Sequence, residues 1–368
     1  MKLLLKLLNK RIVFKSIRKV NLLIFGYDKF EFNKKISHFY YNHDEVNLRY
    51  FFQFIFIFLK NLFSNNKLSI YDAYLHTIIK YCNCKIVLGH DREQGIFKVK
   101  KFFPNKITIT YQYGYWFTVL MKLARDTVRN KEVDHYFLFD ERTKKITEDI
   151  VKSNYYIAGS VANNEKILPF EKKKYDFMFI SNFRANSLGS DNFMKCSAFM
   201  LSKLSEYCNT NNKTFCIARV SSREDKKKYS FSIKKDEEKF LKANAKNYFL
   251  EDIDSFKLAN LSKVSVCTHS NLGYQLLARG NKVLFLNTEN DIYKWHFISE
   301  NIGPFWYKGK NSNEIFKQLQ NLLNMKEDEW NKILSNSSVP IKFDTENKLL
   351  KNLISKIILG SSKSEVNH

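Results

Sequence analysis

Proline and glycine are scarce in this chain of 368 residues, at 4 and 11, which excludes collagen-like, linker-rich and low-complexity architectures. Cysteine is scarce too: Cys82, Cys84, Cys196, Cys208, Cys216 and Cys267. Cys82-Asn83-Cys84 is too tight for a zinc knuckle, and no partner pair stands at finger spacing. Most of the others lie in apolar runs, where a free thiol behaves as a small buried hydrophobe, so the usage reads as reduced and cytoplasmic. Long apolar runs are missing as well. The leader Met1–Arg11 is interrupted by Lys6 and lacks a small-residue cleavage site, so it is not read as a signal peptide. Tyr50–Leu59 is short and contains Gln53, whereas a bilayer span needs ~20 apolar residues. Both segments are candidates for lying on a membrane surface, although for Phe51–Phe63 a buried helix of the first domain is the favoured reading.

Acidic residues are outnumbered, 37 against 61 Lys and Arg, for a net charge of +24. Such a balance points to polyanionic partners. The basic residues are scattered, and no RNP-like aromatic motif, finger spacing or basic zipper accompanies them, so nucleic acid is set aside. A phosphorylated ligand or an anionic membrane surface is the expectation. With 44% hydrophobic and 15% aromatic residues the chain can bury a sizeable core, which excludes global disorder.

Short apolar runs alternate with helical periodicity along the chain. Strands are expected at Val20–Gly26, Lys85–Gly89, Lys106–Tyr111, Asp134–Asp140 and Asn154–Gly159, with helical stretches between Gly26 and Phe63 and a helix over Ser69–Tyr81. Residues 160–174 are polar, carry Pro169 and a lysine run, and read as a linker. The alternation then restarts: strands at Tyr175–Ile180, Thr214–Val220, Val264–Thr268 and Lys282–Leu286, helices at Asn192–Cys208, Lys234–Ala245 and Leu272–Arg279, and a mostly helical end from Asn313. The fold class is therefore α/β, with two Rossmann-like domains around a cleft.

Chemistry is most legible between Val264 and Leu286, which read as strand, polar elbow, short helix closed by Gly280, and strand. Thr268, His269, Ser270 and Asn271 occupy the elbow at the carboxyl end of the strand, where open α/β sheets bind ligands and where helix N–H groups favour phosphate. A well-capped crossover helix without a ligand is the equal alternative, with Ser270 or Asn271 as the cap.

The stretch Ser270-Asn-Leu-Gly-Tyr-Gln-Leu-Leu-Ala-Arg-Gly-Asn-Lys282 resembles the donor-side motif of GT-B glycosyltransferases of bacterial surface-carbohydrate (capsule and lipopolysaccharide) synthesis. Val87-Leu-Gly-His-Asp91, Ile109-Thr-Tyr-Gln-Tyr-Gly114, Gly159-Ser-Val-Ala-Asn-Asn164 and Asp176-Phe-Met-Phe-Ile-Ser181 resemble further blocks of that family in order and spacing. The resemblance implies an acceptor-side domain over 1–165, a nucleotide-sugar domain over 175–345, and a C-terminal helix and tail over 346–368. It also implies a donor site from Thr268, His269, Ser270, Asn271, Leu272, Gly273 and Gln275. Two positions depart from the family: Gln275 stands where a ribose-binding Glu is usual, and Tyr113 where His or Asn precedes the glycine.

On the acceptor side, an inverting transferase needs a group that takes the hydroxyl proton. Asp91 is the first candidate, with His90 beside it and Gln112 orienting substrate or ordering the turn; helix N-capping is the plainer role for Asp91. Arg184, Arg219 and Lys282 are candidates for neutralising the donor phosphates. Asp252-Ile253-Asp254 has the form of a metal-binding Asp-x-Asp but precedes a helix, so capping is favoured; no metal and no resident cofactor is expected, the nucleotide-sugar being a substrate. The expected activity is transfer of a sugar to a surface-polysaccharide or lipid-linked acceptor at the cytoplasmic membrane face. The alternatives are a CDP-polyol phosphotransferase, a sugar-nucleotide epimerase, or an inactive binding protein of the same pathway.

Overall fold

Short aliphatic and aromatic runs flanked by polar turns form central strands, because such runs can be buried on both faces of a parallel sheet. The computed structural model describes residues 11–14, 16–26, 30–41, 45–62, 70–93, 95–114, 131–169, 171–183, 191–220, 231–268, 270–288, 303–336 and 342–360. They divide into two units, one built from residues before 166 and after 343, the other from 166–343.

In the first unit β1 (Arg11–Val13) pairs in parallel with β4 (Glu45–Asn47) as a separate ribbon. The main sheet has six parallel strands in the order β3 (His38–Tyr41), β2 (Leu22–Phe25), β5 (Ile86–His90), β6 (Ile107–Tyr111), β7 (Lys131–Leu138) and β8 (Val151–Ile157). Helices α1 (Phe51–Leu62), α2 (Ile70–Cys82), α3 (Glu141–Thr147) and α4 (Val161–Asn164) connect the strands. Strand order reverses between β2 and β5, so their carboxyl ends frame the crevice where doubly wound sheets bind ligands.

The second unit has β9 (Tyr175–Ile180), β10 (Phe215–Ala218), β11 (Phe249–Leu250), β12 (Ser262–Cys267), β13 (Lys282–Asn287) and β14 (Trp306–Lys308). They lie in the order β11-β10-β9-β12-β13-β14, all parallel. This is the dinucleotide-fold order third, second, first, fourth, fifth, sixth, with its switch point between β9 and β12. Its helices are α5 (Asp191–Thr210), α6 (Phe231–Asn244), α7 (Ser255–Asn260), α8 (Asn271–Ala278), α9 (Ser312–Asn324) and α10 (Glu327–Asn336).

The last helix, α11 (Lys348–Leu359), returns to the first unit, where Leu350 and Ile354 join Leu22, Ile24, Ile86, Leu88 and Phe137 in one core. The segment leading to it is held there by Asn164 Oδ1, which accepts from the Asp344 amide at 3.2 Å, and by Asn347 and Lys351, which both donate to the Glu165 carboxylate at 2.8 Å.

Two expectations need correction. Between Gly26 and Phe63 the chain is not all helical: β3 and β4 precede α1. Nor is α1 buried all round, since Phe54 is packed while Phe52, Phe56 and Leu59 are exposed at 81%, 68% and 47%. All six cysteines are free and buried. Among the described residues no helix is long and apolar enough to cross a membrane.

Candidate functional site

In the first unit the switch point is lined by Gly26, His90 and Asp91. Gly26 takes φ +115°, and a Cβ there would lie 3.2 Å from His90 Cδ2, so only glycine lets the imidazole pass across the end of β2. Asp91 follows β5 directly. Its amide donates to the Tyr111 carbonyl at 2.9 Å, which carries the β5–β6 ladder past the strand end. Its carboxylate accepts from the Tyr113 amide at 3.1 Å on Oδ1 and from the Tyr136 hydroxyl at 3.0 Å on Oδ2. No helix starts on it: the next helical turn, Ile96–Lys98, follows Gly95, so the capping role is corrected.

Asp91 is buried, and burial pushes its carboxyl up to about 6, against the pull of the Tyr113 and Tyr136 hydrogen bonds and of Arg92. A carboxyl poised there can take a proton near neutral pH and release it again. His90 stands beside it, with Nε2 3.7 Å from Glu93 Oε1 and its ring 4.6 Å from that of Tyr113.

Gln112 is committed elsewhere. Its Oε1 accepts from the Phe139 amide at 2.9 Å and its Nε2 donates to the Gly114 carbonyl at 3.0 Å, so it orders the turn and positions Tyr113 and does not reach for substrate. Tyr136, central to the Asp91 environment, was missed in the sequence; it lies inside a strand-like run, and only the pairing of β5, β6 and β7 brings it to the carboxylate.

In the second unit Thr268 directly follows β12 and Ser270 caps α8, its Oγ accepting from the Leu272 amide at 3.2 Å. The capping role is therefore real. Thr268 is 4% exposed, and its Oγ1 has no hydrogen-bond partner among the described residues. An orphaned hydroxyl at a switch point is a place for a ligand oxygen.

Across the same crevice, Ser181 at the end of β9 donates to Glu237 Oε1 at 2.7 Å, and the Val220 amide donates to that oxygen at 2.9 Å. Glu237 is fully buried and ties together the loops after β9 and β10. Its sequence signal was a carboxylate four residues before buried Leu241, on the apolar face of α6. Arg219 sits at the end of β10, 3.6 Å from Glu238.

The remaining donor-side residues divide. Leu272 is buried, and Gly273 allows close helix–strand packing, since a Cβ there would fall 2.8 Å from Cys267 Sγ and 2.9 Å from Phe285 Cε1. Asn271 and Gln275 are half-buried on α8. Lys282 is a correction. It opens β13 at the amino end, in register with Val264, about 13 Å of strand from Thr268. Its Nζ donates to the Met325 carbonyl and lies 3.6 Å from Glu327, so it serves the amino end of the sheet, opposite the crevice. His269 and Arg184 lie outside the described residues. Asp254 caps α7 through the Phe256 amide at 2.9 Å and meets Lys166 at 3.2 Å. Among the described residues no group of three His, Cys, Asp or Glu side chains converges on a point.

A protein-family model described as "putative O-antigen biosynthesis protein" matches residues 112–358. No curated protein sequence matches the chain. Among solved structures, a "putative UDP-N-acetylglucosamine 2-epimerase" from Listeria monocytogenes superposes with a TM-score of 0.56 at 10% identity, covering 93% of this chain and 97% of that one. The UDP-GlcNAc 2-epimerase of Neisseria meningitidis, bound to UDP-GlcNAc, gives 0.53 at 12%, covering 91% and 99%. The S. aureus MnaA–UDP structure gives 0.53 at 11%, covering 93% and 97%. These likenesses show a GT-B-like α/β fold.

Proposed function

The chain belongs to the O-antigen biosynthesis protein family, and from that premise we propose that it is a glycosyltransferase. It moves a sugar from a nucleotide-sugar, held by the second unit, to a surface-polysaccharide or lipid-linked acceptor held by the first. The observation that carries the reading is Asp91, a buried carboxyl with pKa of about 6 at a strand-order switch point. As the acceptor oxygen bonds to the anomeric carbon, Asp91 takes the hydroxyl proton and the bond from that carbon to the phosphate oxygen breaks. The departing nucleoside diphosphate keeps the electron pair. Within the second unit, the N-terminus of α8, Thr268 and Arg219 are the groups suited to a diphosphate. The reading assigns no resident cofactor.

Contact with an anionic membrane is part of the proposal. It is supported by the exposed Phe52, Phe56 and Leu59 and by two stretches, 1–27 and 46–71, that hold seven and three Lys or Arg and no acidic residue.

Epimerisation of the nucleotide-sugar is the second reading, favoured by the fold likeness to sugar-nucleotide 2-epimerases. Product analysis separates the two. With UDP-GlcNAc and other nucleotide-sugars, offered with a bacterial lipid extract, transfer yields free nucleotide and a lipid glycan heavier by one sugar. Release of nucleotide without a heavier glycan contradicts transfer, and so does a nucleotide-sugar of unchanged mass with an altered NMR spectrum.

A further inference from the structure

Strand β7 buries Tyr136, Phe137 and Leu138 in succession, so both of its faces are covered there, and of the three only Tyr136 carries a polar tip. A buried phenol hydroxyl needs a partner. The register sets Tyr136 beside Thr110 of β6 and Tyr155 of β8, and its hydroxyl donates to Asp91 Oδ2 at 3.0 Å, just past the end of β5. Asp91 Oδ1 accepts from the Tyr113 amide at 3.1 Å. The two carboxylate oxygens are thus held by donors from different elements, which restricts rotation about the Cβ–Cγ bond.

Tyr136 is completely buried and Asp91 nearly so. A hydrogen bond to a charged oxygen is strong in such a place, because water cannot stand in for a lost donor. Burial raises the Asp91 carboxyl to about 6, against the pull of the Tyr113 amide, the Tyr136 hydroxyl and Arg92. Burial and the Asp91 charge hold the Tyr136 hydroxyl well above its ordinary 10, so it keeps its proton and stays a donor. Arg92 is exposed, and salt screens its charge; salt does not screen a buried hydrogen bond in the same way. The other titratable groups packed about the pair are Tyr155, its ring 6.1 Å from that of Tyr136, the His90–Glu93 pair, 3.7 Å apart, and Tyr111 and Tyr113, whose rings lie 6.0 and 4.6 Å from that of His90.

We propose that Tyr136 is the positioning residue of the first unit: by donating to Oδ2 it fixes the orientation of the Asp91 carboxylate and keeps that group in the charged form able to take a proton. Tyr136 itself neither gives nor receives the proton; it acts through Asp91. The inference rests on the transferase reading only for the source of the proton, an acceptor hydroxyl. It deepens that reading by naming the residue that makes Asp91 available as a base near neutral pH.

The test is an NMR titration of the full chain with ¹³C-labelled aspartate carboxyls, the Asp91 signal being the one absent from Asp91→Asn. Tyr136→Phe removes the hydroxyl and keeps the ring. In that variant the Asp91 midpoint should rise from about 6 to about 7 or above, and the difference from wild type should persist in high salt. A midpoint that stays in place, or falls, overturns the proposal. The wild-type protein gives a second readout that needs no variant to fold: the Tyr136 ring carbon bearing the hydroxyl should shift with the Asp91 midpoint, and a signal that ignores it also overturns the proposal. The pH profile of kcat/KM keeps this inference apart from the transferase reading. Its acid limb should move up in Tyr136→Phe together with the carboxyl midpoint. A carboxyl midpoint that moves while the limb stays supports the role of Tyr136 and refutes Asp91 as the base; a rate limb at the wild-type Asp91 midpoint, with that midpoint unmoved in Tyr136→Phe, refutes the role of Tyr136 alone.

Discussion

Asp91 concentrates the chemistry of the first unit in one side chain. Burial raises its carboxyl from 3.8 to about 6, while the unfolded chain keeps the ordinary value. Between those values the folded protein holds a proton that the unfolded chain has released. Its contribution to stability is therefore present below about pH 4 and is lost as pH rises through about 6, by up to about 3 kcal/mol. Urea unfolding at pH 4 and pH 7 should show that loss in the wild type relative to Asp91→Asn, which cannot titrate. In activity the sign is opposite: kcat/KM should climb through about pH 6 as the base is freed, and Asp91→Asn should fall about a hundredfold or more. Equal rates in the two proteins would remove Asp91 from the chemistry. The position of Asp91 was legible, because an acidic residue directly after a buried strand must lie at the sheet's carboxyl end. The Tyr136 hydroxyl was not, since it comes from a strand two places away in the sheet and 45 residues on in the chain.

Among the elements, α8 and its flanking strands were the most readable, because Ser270, Gly273 and Gly280 each mark a mechanical need: a cap, a close approach and a left-handed turn at φ +88°. The same motif misled at Lys282, where spacing in sequence says nothing about which end of a strand a side chain serves. Edge strands were the hardest to see. β11 has two residues, β1, β4 and β14 three each, and runs that short carry no periodicity. Helix α1 poses a different question, with a packed Phe54 on one face and exposed Phe52, Phe56 and Leu59 on another. If that stripe meets lipid, the protein should float with phosphatidylglycerol vesicles at low salt, and the double variant Phe52→Ser, Phe56→Ser should stay in the load while unfolding normally. Wild-type protein left behind by the vesicles would refute membrane contact through this helix.

Across the whole molecule, the α/β class with two parallel-sheet units followed from the alternation of strand and helix, while the return of the chain did not. The sequence marks residues 346–368 only as a separate helix and tail; α11 packs in the core of the first unit because Leu350 and Ile354 complete that core and Glu165 receives Asn347 and Lys351. Each sheet places its switch point where the candidate residues gather: Gly26, His90 and Asp91 in one, Ser181, Thr268 and Ser270 in the other. The central claim is that the second of these holds a nucleotide-sugar. It is tested most directly by thermal unfolding of the full chain with UDP, CDP, CMP, GDP and their sugar conjugates. A ligand at a hundred times its Kd adds about 2.7 kcal/mol, visible as a rise of a few degrees. The account predicts such a rise with one nucleotide family, reduced by Thr268→Val, which removes the orphaned hydroxyl and keeps the shape. No rise with any nucleotide would contradict it.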